Sequence, residues 1–213
     1  MRHFLSVAMA LIPLLLSCSK PAVLQPGDLL FVGSQGTAGT MDEAISAATG
    51  SFVHVAVLDI ADDGSVWVID ATPEHGVDRH PLDTLIADFK AEDGSLPHME
   101  IRRLRDTSGI GAALRRAVSL CGKDYDYTFL PDNDAYYCSE LVWGCFLGPD
   151  GSHVFDTVPM NFRAPDGLMP QYWTDLFSSM GMAVPEGVSG TNPQQISQSQ
   201  DLYIINLNIL PQQ

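Results

Sequence analysis

Basic residues are scarce in this chain: 11 Lys and Arg face 26 Asp and Glu, a formal charge of −15. With no basic patch to neutralise phosphates, nucleic acid is excluded as a partner, and so is docking on anionic lipid by charge alone. The one short positive cluster, Arg102-Arg103-Leu104-Arg105, reads as the solvated edge of a strand. Cysteine is equally sparse, 4 in 213 residues. That is too few for a disulfide framework, in a chain large enough not to need one. No apolar run is long enough to span a membrane comfortably. Also missing are a Gly-x-Ser-x-Gly elbow, a His-Glu-x-x-His helix and any Cys or His pair at zinc-ligand spacing, which argues against serine hydrolases and zinc enzymes. Gly33, Gly36 and Gly39 share a loop without dinucleotide or phosphate-loop spacing. No metal or other cofactor is expected.

What is present begins with an address. Met1-Arg2-His3 is a short basic start, Phe4 to Leu16 is apolar, and Leu15-Leu16-Ser17-Cys18 follows as a small-residue cleavage site. The segment resembles a bacterial lipoprotein signal. The resemblance implies removal of residues 1–17, lipidation of Cys18, a tether over 18–26 and a membrane-anchored protein of the bacterial envelope, on the periplasmic or cell-surface side. The alternative is an ordinary secretory signal with an incidental Cys. Cleavage removes one Arg and no acid, leaving 10 − 26 = −16. The remaining residues, 27–213, read as a single domain and as a monomer, since 46% hydrophobic content suffices for one sizeable core and no repeat or second boundary appears.

The domain reads as a mixture of strands and helices. Gly27-Asp28-Leu29-Leu30-Phe31-Val32 is a strand entered through a turn, and Thr40-Met41-Asp42-Glu43 is a capping box opening a helix that Gly50 closes. Phe52 to Leu58 is an apolar, β-branched run expected to be buried on both faces, with His54 as its only ionisable group. Ala61-Asp62-Asp63-Gly64 turns it into a second strand, Ser65 to Asp70, so the pair forms an antiparallel hairpin. An odd loop places His54 and Asp70 on one face, and an even loop sets them apart. His80-Pro81 opens an expected helix carrying Leu82, Leu85, Ile86 and Phe89, and a strand follows over 99–104. Ile110 to Cys121 repeats at helical spacing, with Gly122 as its cap. Gln171 to Met180 reads as a helix, 185–200 as a long loop, and 202–207 as a last strand.

The chemistry gathers on Tyr137-Cys138-Ser139-Glu140-Leu141-Val142. Leu141, Val142, Cys145 and Phe146 recur at helical spacing, so Cys138 stands at or just before a helix start, where free N–H groups and the dipole favour a thiolate. Cys121 and Cys145 read as core thiols, with a Cys121–Cys145 bridge as the lesser alternative. A thiol hydrolase needs a thiolate, an imidazole and a group to orient the ring, which Cys138, His54 and Asp70 supply. His75, His80, His98 and His153 read as surface residues. Glu140 reads as a structural hydrogen-bonding residue.

Together with Gly27-Asp28-Leu29-Leu30, Val68-Ile69-Asp70-Ala71 and Tyr125-Asp126-Tyr127, these residues resemble the circularly permuted NlpC-type papain-like amidases, the YiiX/YaeF-like group. His54 precedes Cys138, as the permuted order requires. The resemblance implies an α+β, papain-like fold in which a small antiparallel sheet or barrel packs against helices. It also implies Cys138 as nucleophile, His54 as base and acid, and a carboxylate at position 70 as orienter. Family members commonly carry Glu there, one methylene longer than Asp70. The Cys138 N–H is the expected oxyanion donor, with a hydroxyl from Tyr125 or Tyr137 beside it. The expected substrate is an amide in a cell-wall peptide or N-acyl amino-acid compound. Lipid acyl hydrolysis or transfer at the same site, and a non-catalytic binding lipoprotein, stand as alternatives.

Overall fold

The most apolar, β-branched stretch of the chain becomes its central strand, and the rest of the sheet is laid on either side of it. The structure, a computed structural model, describes residues 23–205. The signal-like segment, Cys18 and most of the tether lie outside the described residues, as do 206 and 207 of the expected last strand. In chain order the elements are β1 (Leu29–Gly33), α1 (Met41–Thr49), β2 (Phe52–Ile60), β3 (Val66–Thr72), β4 (Gly76–Pro81), α2 (Leu82–Asp88), β5 (Met99–Leu104) and α3 (Ile110–Ser119). They continue with β6 (Asp124–Tyr125), β7 (Ala135–Tyr136), α4 (Cys138–Cys145), β8 (Val158–Pro159), α5 (Gln171–Ser179), β9 (Ser189–Gly190), α6 (Pro193–Ser197) and β10 (Leu202–Ile205). One six-stranded sheet, ordered β10-β5-β1-β2-β3-β4 with antiparallel neighbours throughout, forms the frame.

Alternate side chains of the central strands feed two cores. Val55, Val57, Ile69 and Ala71 pack with α3, α4 and Ile196 of α6, whereas Ala56, Leu58 and Val68 pack with Leu85 of α2 and the neighbouring Phe89. Each such side chain fully removed from water contributes roughly 1.5–3 kcal/mol, so β2 can carry one imidazole as long as that imidazole finds partners. A third cluster is aromatic: Phe129, Tyr137, Phe162, Trp173 and Phe177 pack between α1 and α5.

Several expectations need correction. The arginines of 102–105 do not form a solvated edge, because β5 lies inside the sheet. Arg103 grips Asp28 at 2.6 and 2.8 Å, Arg102 bonds Glu100 and the Ser197 carbonyl, and Arg105 reaches the Gln200 carbonyl at 2.8 Å. Segment 185–200 is not a plain loop: it holds β9 and α6, the latter capped by Asn192 with Pro193 in its first turn. The third helix stops at Ser119 with Leu120 as its cap, so Cys121 falls beyond it and is half-buried. Cys121, Cys138 and Cys145 are all free thiols.

Candidate active site

Five residues, 61–65, separate β2 from β3, and the ladder pairs Leu58 with Val68. The loop is therefore odd, and alternation along each strand puts His54 and Asp70 on one face. The next hairpin repeats the relation. Val68 pairs with His80 and Asp70 with Asp78, so His80 joins the same face from β4. His80 was expected at the surface and at the start of a helix; it is instead a buried strand residue, while His75, His98 and His153 are exposed. Asp70, 1% exposed, accepts on Oδ2 from His54 Nε2 at 2.7 Å and on Oδ1 from His80 Nε2 at 2.9 Å.

The two-strand ladder stops at Val57 opposite Ile69, and beyond that pair β2 and β3 part. At the same point β1 pairs Val32 with His54 but Gly33 with Phe52, leaving Val53 as an extra residue. A bulge of this kind bends its strand and re-aims the neighbouring side chain. At this gap His54 meets Cys138, which arrives on α4 from the other face and whose charge acts directly on the ring. With Nε2 committed to Asp70, Nδ1 is the ring nitrogen left for the thiol. Cys138 is the first residue of α4, so its N–H has no partner within the helix.

Burial alone would push the His54 imidazole down, yet the Cys138 thiolate and Asp70 outweigh it and raise the ring from 6.5 to about 10. Burial alone would likewise raise Asp70, whose bonds to His54 and His80 instead hold it down at about 2. The three groups floor a cavity of about 950 Å³. Thr40, Met41, Asp42 and Ile45 of the α1 region form one wall, Leu85, Asp88, Phe89 and residues 90–93 the other, with Pro73, Glu74 and Tyr125 closing it.

A family model described as permuted papain-like amidase enzyme, YaeF/YiiX, C92 family, matches residues 23–206. The chain belongs to that family. As a C92-family member it is a cysteine hydrolase of the peptidase and amidase kind, with the permuted papain-like α+β fold. Among solved structures it is similar to one described as the metalloprotein yiiX of Escherichia coli O157:H7, with 24% identity, a TM-score of 0.67, and coverage of 86% of this chain and 97% of that one. No curated protein matches. Among the described residues of this C92 chain, no group of three or more His, Cys, Asp or Glu side chains is arranged to hold a metal ion.

The two tyrosines expected near the oxyanion part company. Tyr125 lines the large cavity, and its hydroxyl donates to Met41 Sδ at 3.6 Å. Burial first, and the neighbouring Cys138 next, push that hydroxyl well above 10. Tyr137 is packed in the aromatic cluster behind α4, where its hydroxyl accepts from the Thr191 N–H at 3.1 Å. Glu140 is the third residue of α4, where the backbone N–H of the cap residue Tyr137 acts to lower its carboxyl. Burial and then Asp126 raise its carboxyl from 4.5 to about 8, and Oε2 lacks a hydrogen-bond partner.

That elevation has a sign. Between 4.5 and about 8 the folded chain binds more protons than the unfolded chain, so Glu140 lowers stability as pH rises through this window. Glu140→Gln keeps the acceptor for Tyr137 and offers Asp126 a donor. Its Tm is expected to exceed the parent's at pH 8 by about 2–4 °C, the shift that about 1 kcal/mol produces in a chain of this size, and to match it near pH 4.5. Thermal melts at the two pH values check this.

Proposed function

We propose that this hydrolase cleaves an amide in a peptide or N-acyl amino-acid compound bearing a free amine, with Cys138 as nucleophile, His54 as acid and base, and Asp70 as orienter. The observation that carries the reading is the buried chain Asp70–His54–Cys138 at the head of α4. The Cys138 thiolate attacks the carbonyl carbon, and the oxyanion that forms takes the free Cys138 N–H, with the Tyr125 hydroxyl as a second donor. The His54 imidazolium protonates the leaving amine as the C–N bond breaks, giving a thioester. Neutral His54 then takes a proton from water, whose oxygen adds to the thioester; collapse returns the thiolate and releases the carboxylic acid.

Charge on the cavity walls supports an amine-bearing substrate over a fatty acyl chain. Asp42, Glu74, Asp88, Glu92 and Asp93 line it, and Lys90 is the one lysine or arginine among them, beside the histidines His54 and His80. Asp42 is elevated by burial, countered by His54 and reinforced by Glu74, so Asp42 and Glu74 share one electrostatic neighbourhood with His54. In the cell we assign this activity to the bacterial envelope, on a chain tethered through lipid on Cys18.

A peptide amide with a free α-amine is expected to show kcat/KM about 10-fold or more above its N-acetylated counterpart, the scale of one charge-assisted hydrogen bond. Asp42→Asn should shrink that preference. A preference for the acetylated peptide, or for a fatty acyl ester, would overturn the substrate assignment.

A further inference from the structure

We propose that His80 is a positioning residue for the Asp70–His54 pair, anchoring the second carboxylate oxygen and supplying a positive charge that limits how tightly Asp70 holds the proton on His54. The inference rests on the Cys138–His54 reading and adds a member to it. Both oxygens of Asp70 are taken, each by a separate Nε2. His80 is pinned at its other nitrogen as well: Nδ1 lies 3.3 Å from the Pro81 carbonyl oxygen. A bare Nδ1 lone pair would face that oxygen lone pair to lone pair, so both ring nitrogens carry protons and His80 is an imidazolium. Its bond to Asp70 raises His80, against the opposing pull of burial.

Two consequences follow for His54. Held at both oxygens, the carboxylate cannot rotate, and His54 keeps Nδ1 directed at Cys138. An undivided carboxylate charge would also make His54 a reluctant acid for the leaving amine and leave it protonated when deacylation needs a base. The charged groups facing the pair are Asp42 from α1, Asp78 from β4, Asp88 from α2, Cys138 from α4, and Glu74, Lys90, Glu92 and Asp93 from loops. All stay in place in the variants below, so they cancel in the comparison.

The test compares His80→Gln and His80→Ala with the parent in the full chain, with His54→Ala as control, on the amide substrate. Glutamine keeps an N–H donor near Asp70 without the charge. The expected result is a kcat acid limb displaced upward by about 0.5–1 pH unit in His80→Gln, with kcat near neutrality about 3–10-fold lower and KM unchanged. His80→Ala loses orientation too, and its kcat is expected to fall about 100-fold. Nitrogen-15 NMR of the parent should find both His80 ring nitrogens protonated at neutral pH. A limb that stays put in His80→Gln while only Tm drops, or a neutral His80, would overturn the proposal. If His54→Ala leaves turnover and Cys138 alkylation unchanged, it is the underlying Cys138–His54 reading that fails, and this inference goes with it.

Discussion

At about pH 6.5, Cys138 in the intact chain is expected to alkylate with iodoacetamide about 10–100-fold faster than in His54→Ala. An ordinary thiol is only about 1% ionised two units below its pKa of about 8.5, so a partner that supplies the thiolate can gain about 100-fold at most. The partner here is an imidazole raised to about 10 by the Cys138 thiolate and Asp70. A raised histidine stabilises the fold fully below 6.5, and its contribution is lost as pH rises through about 10, so His54 stays protonated across the neutral range. The alkylation ratio should narrow towards unity above about pH 8.5, where a thiol ionises without help. On an amide substrate the same substitution should cost about 10²–10⁴-fold in kcat, the usual worth of positioned acid–base catalysis, and Cys138→Ala should leave only background hydrolysis. Equal alkylation rates in parent and His54→Ala would remove this pair from the chemistry.

How much of this site could be read from residues alone depended on whether each contact was local. The helix start at Cys138 is written in the spacing of Leu141, Val142 and Cys145, and α4 begins there. His54 and Asp70 could be placed on one face because a single hairpin joins them and strand alternation propagates its register. His80 was hidden by its neighbours. Proline after it looks like the opening of a helix, and α2 does start at Leu82, yet the strand that carries His80 comes from a second tight turn at Thr72 to Gly76. Gly76 sits at φ +65, where a Cβ would come within 2.2 Å of the Lys123 carbonyl oxygen. That approach binds β4 to the segment leading to Tyr125, a contact between distant parts of the chain. The available clue was chemical: a buried carboxylate has two oxygens to satisfy, and one histidine satisfies only one. The arginines of 102–105 and the α6 segment were misread for a related reason, since the arginines' partners Asp28, Ser197 and Gln200 lie far away in sequence. Composition describes such residues as polar and exposed; only the fold pairs them.

Asp70 itself should be the costliest side chain to change outside Cys138 and His54, the proposed nucleophile and base. Asp70→Asn is nearly isosteric but has one carbonyl oxygen for two imidazole donors, and its NH₂ confronts the Nε2–H of one ring. If that ring is His54, the proton moves to Nδ1, the nitrogen needed by the thiol, and kcat is expected to fall about 10²–10⁴-fold with a smaller change in KM, the scale of a mis-set tautomer in a catalytic triad. Asp70→Ala leaves two buried imidazoles without their shared carboxylate, and truncating one member of a buried ionic group costs about 3–5 kcal/mol. At about 2–4 °C per kcal/mol this is a Tm loss of roughly 10 °C. The deficit has a pH signature. A carboxyl held at about 2 instead of 3.8 contributes stability above 3.8 and loses it as pH falls through about 2, so melts of parent and variant should converge in strong acid and stand furthest apart above pH 4. A variant that melts like the parent at neutral pH and retains its kcat would mean that His54 is held by packing against Phe89, 5.1 Å away between ring centres, and not by the carboxylate.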